Sequence, residues 1–115
     1  MRIIRVIGLV VLLSACGESA KDQKVVQTDG VPETRSGEAV FNQFCFSCHV
    51  AGVAGAPRLG AKEDWAPRVA LGREVMMSNI IEGLPPAMPP KGLCNQCSEE
   101  ELSNALDYML SSIKE

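Results

Sequence analysis

The spacing of apolar positions changes along the chain, and each change predicts a different element. Residues 6–13 form an apolar run, Val6-Ile7-Gly8-Leu9-Val10-Val11-Leu12-Leu13, too short to span a bilayer as a helix. Residues 17–35 are polar with no apolar period, and Thr28-Asp29-Gly30-Val31-Pro32-Glu33 concentrates turn formers, so a flexible linker is expected. From Ser36 the pattern turns helical. Ser36 suits an N-cap, Glu38 suits the first turn, and Val40, Phe41 and Phe44 share one face of a helix that should run directly into Cys45. Residues 50–60 are rich in glycine and alanine, which favours irregular backbone. Helical spacing returns over residues 61–83 in two pieces. Asp64 is placed to cap the first, over 65–70, with Pro67 in its first turn; the second, over 73–82, puts Val75, Met76, Asn79 and Ile80 near one face and stops at Gly83. Four prolines, Pro85, Pro86, Pro89 and Pro90, then surround Met88 in what neither a helix nor a central strand tolerates, predicting a stiff extended loop. Ser98-Glu99-Glu100-Glu101 is a capping box, and Leu102, Ala105, Leu106, Met109 and Leu110 form the stripe of a last helix, with Tyr108 beside it facing the first. The elements predict an all-α domain.

The turn that ends the first helix carries the chemistry. Cys45-Phe46-Ser47-Cys48-His49 has the spacing of a c-type haem attachment site. Two intervening residues let one turn of backbone reach both vinyl groups of a haem, and the residue that follows lies under the ring, where the imidazole of His49 can ligate iron. His49 is the only histidine in the chain. A Cys-x-x-Cys pair also suits a redox dithiol or half a zinc site, and Cys94-Asn95-Gln96-Cys97 would complete a four-thiolate set with Cys45 and Cys48. The proline-bound Met88 argues for haem instead. A methionine held in so stiff a loop is presented as an axial ligand opposite His49, whereas Met76 and Met77 sit on a helical face and read as core filler. Pro57 offers a rigidly placed carbonyl for the second ring nitrogen of His49. Trp65 and Arg68 can donate to a haem propionate, or serve as packing and a solvated charge.

At 115 residues the chain has room for one domain and its appendages, and 4% aromatic residues leave a thin core that a covalently held porphyrin would staple. Lys and Arg number 11 against 14 Asp and Glu, a net charge of −3, with no basic patch to suggest nucleic acid. Arg2 and Arg5 ahead of the apolar run, and Leu13-Ser14-Ala15-Cys16 after it, resemble a bacterial lipoprotein signal, in which Cys16 becomes the acylated N-terminus. The alternative is an ordinary secretory leader cut near Ala15 that leaves Cys16 as a spare thiol. Both place the domain outside the cytoplasm, where disulfides persist. The thiols then divide: Cys16 for lipid, Cys45 and Cys48 for haem, Cys94 and Cys97 for each other. The expected organisation is a signal over 1–15, an acylated N-terminus and tether over 16–35, with a reach of about 25 Å as random coil, and a domain over 36–115. Export, the lone His49 and the Met88 loop weigh against zinc.

Residues 36–115 resemble a class I c-type cytochrome, specifically the cytochrome c-five family. The resemblance rests on Cys45-x-x-Cys48-His49, Ala51-Gly52-Val53-Ala54-Gly55-Ala56-Pro57, Trp65-Ala66-Pro67-Arg68, Ala87-Met88-Pro89-Pro90-Lys91-Gly92 and Cys94-x-x-Cys97-Ser98-x-Glu100-Glu101-Leu102. It implies a small helical domain wrapped around one covalent haem c, with first and last helices crossing beside it. It also implies His49/Met88 ligation, a Cys94–Cys97 disulfide and one-electron transfer between redox protein partners. Leu93 stands where many members have glycine. No catalytic base or nucleophile is needed and none stands out. The expectation is a monomeric, lipid-anchored electron carrier on the periplasmic side of a bacterial membrane, the outer one in a Gram-negative host because Gly17 follows the cysteine.

Overall fold

Two helices far apart in sequence meet at Gly37. A β-carbon built on Gly37 would lie 1.9 Å from the Asn104 carbonyl oxygen, so only hydrogen at this position lets the two backbones touch. The structure, a computed structural model, describes residues 33–114. The leader, Cys16 and the tether up to residue 32 lie outside the described residues.

The first helical stretch has three parts: α1 (Gly37–Val40), a π-helical turn (Phe41–Cys45) and α2 (Phe46–His49). The Ser36 hydroxyl caps it, accepting from the Ala39 N–H at 3.2 Å. Helical backbone thus continues past Cys45 to His49. The π turn is a single wider turn of the kind found at functional sites, and the period of Val40, Phe41 and Phe44 does not reveal it.

Helix α3 (Lys62–Val69) begins three residues earlier than its apolar pattern suggests, with Ala61 at the N-cap. Asp64 is therefore inside the first turn rather than at the cap. Its carboxylate accepts from the Arg58 backbone N–H at 3.1 Å and from the Arg58 guanidinium at 2.7 Å. Pro67 sits within the helix, where it deprives only the Glu63 carbonyl of a partner. Helix α4 (Arg73–Glu82) lies between Gly72 and Gly83, both at positive φ. Helix α5 (Glu99–Ser111) has its capping box formed: the Ser98 hydroxyl accepts from Glu101 N–H at 3.2 Å, and the Glu101 carboxylate accepts from Ser98 N–H at 3.0 Å. No regular strand occurs among the described residues; the one bridge pairs Leu84 with Met88.

The core is the inner face of α5 against the other helices. Val40, Phe41, Trp65, Met76, Leu102, Ala105, Leu106 and Met109 are buried, and a large apolar side chain so placed contributes about 1.5–3 kcal/mol. Tyr108 packs on Phe41 with ring centroids 5.3 Å apart. Met76 is buried, and Met77 packs at the edge of the core. Arg73 reaches from α4 to Asp107 and Ser103 on α5.

The globule starts before Ser36. Arg35, at the end of the stretch that composition marks as linker, clasps Glu101 with two guanidinium bonds, Nε to Oε1 at 2.7 Å and Nη2 to Oε2 at 2.9 Å. Linker-like composition records low apolar content and is blind to one arginine whose partner is 66 residues away.

Candidate haem site

The end of α2, the 53–57 segment, α3, α4, the 84–89 loop and α5 enclose a cavity of about 280 Å³. Cys45, Cys48 and His49 line it from the first helical stretch, and Leu84, Ala87 and Met88 line it from the proline-rich loop. Met76, Leu106 and Met109 extend the core into its wall. Pro57, Trp65 and Arg68 line it as well, so every residue that the sequence nominates for cofactor binding meets at one place.

His49 is buried, and its Nδ1 lies 2.9 Å from the Pro57 carbonyl oxygen. A carbonyl can only accept, so Nδ1 carries the proton and Nε2 keeps its lone pair for a metal. Burial pushes the imidazole below the usual histidine range, the Arg68 charge adds to this, and the Pro57 bond opposes it. The neutral, ligating form is thereby favoured. The His49 carbonyl in turn accepts from Leu59 N–H at 2.7 Å, which folds the 50–59 segment back over the helix end.

Burial, with the neighbouring Cys48 as a smaller cause, pushes the Cys45 thiol up to about 11. Without a bound electrophile or metal, such a side chain is a thiol at neutral pH. Cys94 and Cys97 are bonded to each other, S–S 2.01 Å, and among the described residues no three Cys, His, Asp or Glu side chains gather to hold a metal ion. The four-thiolate alternative therefore has no geometry to support it.

The Met88 loop is closed rather than extended. Leu84 N–H donates to the Met88 carbonyl at 2.8 Å and Met88 N–H to the Leu84 carbonyl at 2.9 Å, with Pro85, Pro86 and Ala87 between them. Alternation and propensity miss this because two prolines conceal a reciprocal pair of backbone bonds. Gly83 is the supporting residue that the sequence does not advertise. It reads as a helix stop, yet a β-carbon there would stand 2.7 Å from both the Met88 carbonyl oxygen and Pro90 nitrogen. Beyond the loop, Lys91, Gly92 and Leu93 have φ of 55°, 58° and 70°. Leu93 thus adopts the left-handed backbone that glycine takes without penalty.

Trp65 and Arg68 line the cavity, but their hydrogen bonds run to the protein backbone. The single indole N–H donates to the Arg58 carbonyl at 2.9 Å. Arg68 donates to the Asp64 carbonyl at 2.7 Å and the Gly55 carbonyl at 3.3 Å.

These residues fit a c-type haem. Two thiols with two residues between them on one helical turn, a buried imidazole with Nε2 free, a thioether in a closed loop and a mostly apolar lining are what that group requires. The chain belongs to the class I c-type cytochromes, monohaem electron-transfer proteins that bind one covalent haem c and are not enzymes. The family model described as "Cytochrome C oxidase, cbb3-type, subunit III" matches residues 32–109. The chain is 35% identical to cytochrome c-555 of Chlorobaculum thiosulfatiphilum over 85 residues, covering 71% of this chain and 99% of the relative. It is 39% identical to cytochrome c5 of Ectopseudomonas mendocina over 77 residues, 65% of this chain and 87% of the relative. A chain of the solved electron transfer complex of nitrite reductase with cytochrome c superposes with a TM-score of 0.63 at 33% identity, covering 74% of this chain and all of that one.

Proposed function

We propose that this cytochrome is a membrane-tethered one-electron carrier of an extracytoplasmic respiratory chain, with the haem held through Cys45 and Cys48 and its iron ligated by His49 and Met88. The observation that carries the assignment is the convergence of two thiols, one imidazole and one loop thioether on a single apolar cavity. When bound, the haem supplies reversible ferric–ferrous chemistry. The residues do the rest. Pro57 fixes the ring orientation of His49, the 84–88 loop holds the Met88 sulfur against loss, and the apolar lining excludes water. Thioether ligation raises the potential relative to a bis-histidine site.

The expected test result is a six-coordinate low-spin spectrum in both oxidation states, with the near-infrared sulfur-to-ferric-iron band and poor carbon monoxide binding. Acidified acetone leaves the colour on the chain. Met88→Ala loses the band, admits carbon monoxide and lowers the potential. A high-spin wild type that binds carbon monoxide readily would overturn the reading in favour of a ligand-binding or peroxidase role.

The tether rests on Leu13-Ser14-Ala15-Cys16 and the polar stretch behind it. Lipid on Cys16 and about 25 Å of coil would hold the domain near a periplasmic membrane surface, the outer one in a Gram-negative host, without letting it diffuse away. No helix among the described residues is long and apolar enough to cross a membrane. The relative found with nitrite reductase supports a larger redox enzyme as one partner, docking at the haem edge of a cytochrome monomer. Cys16→Ser should move the protein from the detergent phase to the soluble fraction; a wild type already soluble removes the anchor from the reading.

A further inference from the structure

Helix α3 presents a ring face to the candidate haem ligand. Trp65 is buried and lies 6.1 Å, centroid to centroid, from the His49 imidazole with 21° between the planes. The helix's hydrogen bonds toward the site run to residues 55 and 58. Trp65 Nε1–H donates to the Arg58 carbonyl at 2.9 Å. The Asp64 carboxylate holds the Arg58 N–H at 3.1 Å and the Arg58 side chain at 2.7 Å. Arg68 holds the Gly55 carbonyl at 3.3 Å. The anchored groups flank Pro57, whose carbonyl is the hydrogen-bond partner of His49 Nδ1 at 2.9 Å.

We infer that Asp64, Trp65 and Arg68 are positioning residues that set the electron-donor strength of His49: they grip residues 55 and 58 and so hold the Pro57 carbonyl between them against the Nδ1–H. The inference rests on His49 being the iron ligand. Its physical basis is that a histidine which donates its second ring N–H to a fixed acceptor is a more basic ligand. A more basic ligand favours ferric iron. Slack in the 55–58 segment lengthens that hydrogen bond, weakens the donor and shifts the equilibrium toward the ferrous form. Within residues 55–58 the backbone bonds are short-range turns, Gly55 N–H to Gly52 and Ala56 N–H to Val53 carbonyls, and the Leu59 N–H to His49 carbonyl bond pins only the far end, so the α3 side chains supply the remaining support. Trp65 is the strongest of the three grips, being buried where Arg58 and Arg68's outer bond are exposed.

The test is made on the haem-loaded protein. Trp65→Phe keeps an aromatic ring near His49 and deletes the indole N–H together with part of the ring's bulk. The one-electron equilibrium should move toward the ferrous form by up to about tenfold, equivalent to about 59 mV. By proton NMR of the ferrous form, solvent exchange of the His49 ring N–H should quicken about tenfold or more, a readout of the hydrogen bond that does not depend on electron transfer. Asp64→Asn, a milder change that keeps the fold if Trp65→Phe does not, should move both readouts in the same direction and less. Arg73→Ala breaks the clip from α4 to α5 away from this segment. It should lower the unfolding midpoint and leave potential and ring-proton exchange at wild-type values. Unchanged potential and exchange in both Trp65→Phe and Asp64→Asn, with low-spin His/Met spectra intact, overturn this inference alone. A wild type without that spectrum overturns the ligand assignment and this inference with it.

Discussion

At the scale of single residues, the site separates groups that do the chemistry from groups that make room for it. Under the proposed ligation Met88 belongs to the first kind, and Gly83 belongs to the second. A methyl group at position 83 would sit 2.7 Å from the Met88 carbonyl on a backbone at φ +79°, so the loop must shift or the helix end must unwind. Gly83→Ala is therefore expected to weaken the sulfur-to-iron band and raise carbon monoxide affinity while the haem remains covalently attached, as near-infrared absorbance and carbon monoxide titration would show. Met76→Ala is expected to do the opposite. Met76 is buried in the core, so its loss costs about 2–5 kcal/mol of stability and leaves the axial band in place. Cys45, Cys48 and His49 were readable from the sequence because covalent chemistry imposes their spacing within five consecutive residues. Gly83 was not, because its constraint comes from a loop carbonyl that its neighbours in sequence do not specify.

At the scale of elements, the crossing of α1 and α5 is the joint on which the cavity depends. The sequence presents Gly37 as an unremarkable member of a first turn. In the fold it is the only side chain small enough for the Asn104 carbonyl to approach. Gly37→Ala gains helix propensity locally, yet should destabilise the domain by about 1–3 kcal/mol or more through overpacking. For a domain of this size that is a fall in Tm of about 4–8 °C per kcal/mol. A Tm equal to or above wild type would show that the helices can separate without cost. The same scale holds the departures from local reading. Helix α3 starts early, and Asp64, inside its first turn, binds the backbone N–H and guanidinium of Arg58 six residues before it instead of capping. The π turn at Phe41–Cys45 places the two thiols and His49 on the cavity side, and an inserted residue leaves no mark on hydrophobic period.

At the scale of the whole molecule, two carboxylates anchor neighbouring segments, Glu101 to one 66 residues away and Asp64 to the loop six residues before it. Bonds from the Arg35 side chain, then from the Ser98 and Arg35 backbone N–H groups, bring Glu101 down to about 2. The Arg58 side chain and then its backbone N–H do the same for Asp64, also to about 2. Both are depressed from ordinary values near 4, so their contribution to stability is complete above about pH 4.5 and is lost as pH falls through about 2. Thermal unfolding should therefore show a flat midpoint from neutral to mildly acidic pH and a decline below about pH 4.5. Glu101→Gln should lower the plateau and shrink the decline, and an identical decline in Glu101→Gln would remove the Arg35 clasp as its cause. The Cys94–Cys97 bridge acts locally by contrast, since a loop this short removes little chain entropy. Its place between the Met88 loop and α5 suits a stiffener of that join.

The amino-acid sequence by itself determined the attachment turn, the ligand pair to expect, the helix stripes, the α5 capping box and the all-α class. All of these are short-range: a covalent spacing, a period, a cap, a run of prolines. Tertiary structure alone decided where the Met88 loop closes, which glycines are obligatory, that Arg35 belongs to the globule, and that the Trp65 N–H serves Arg58. The Arg35 and Gly37 partners are brought near from far along the chain, while the loop closure and the Trp65 bond use backbone carbonyls and N–H groups that every residue carries, so neighbouring side chains hold no record of either.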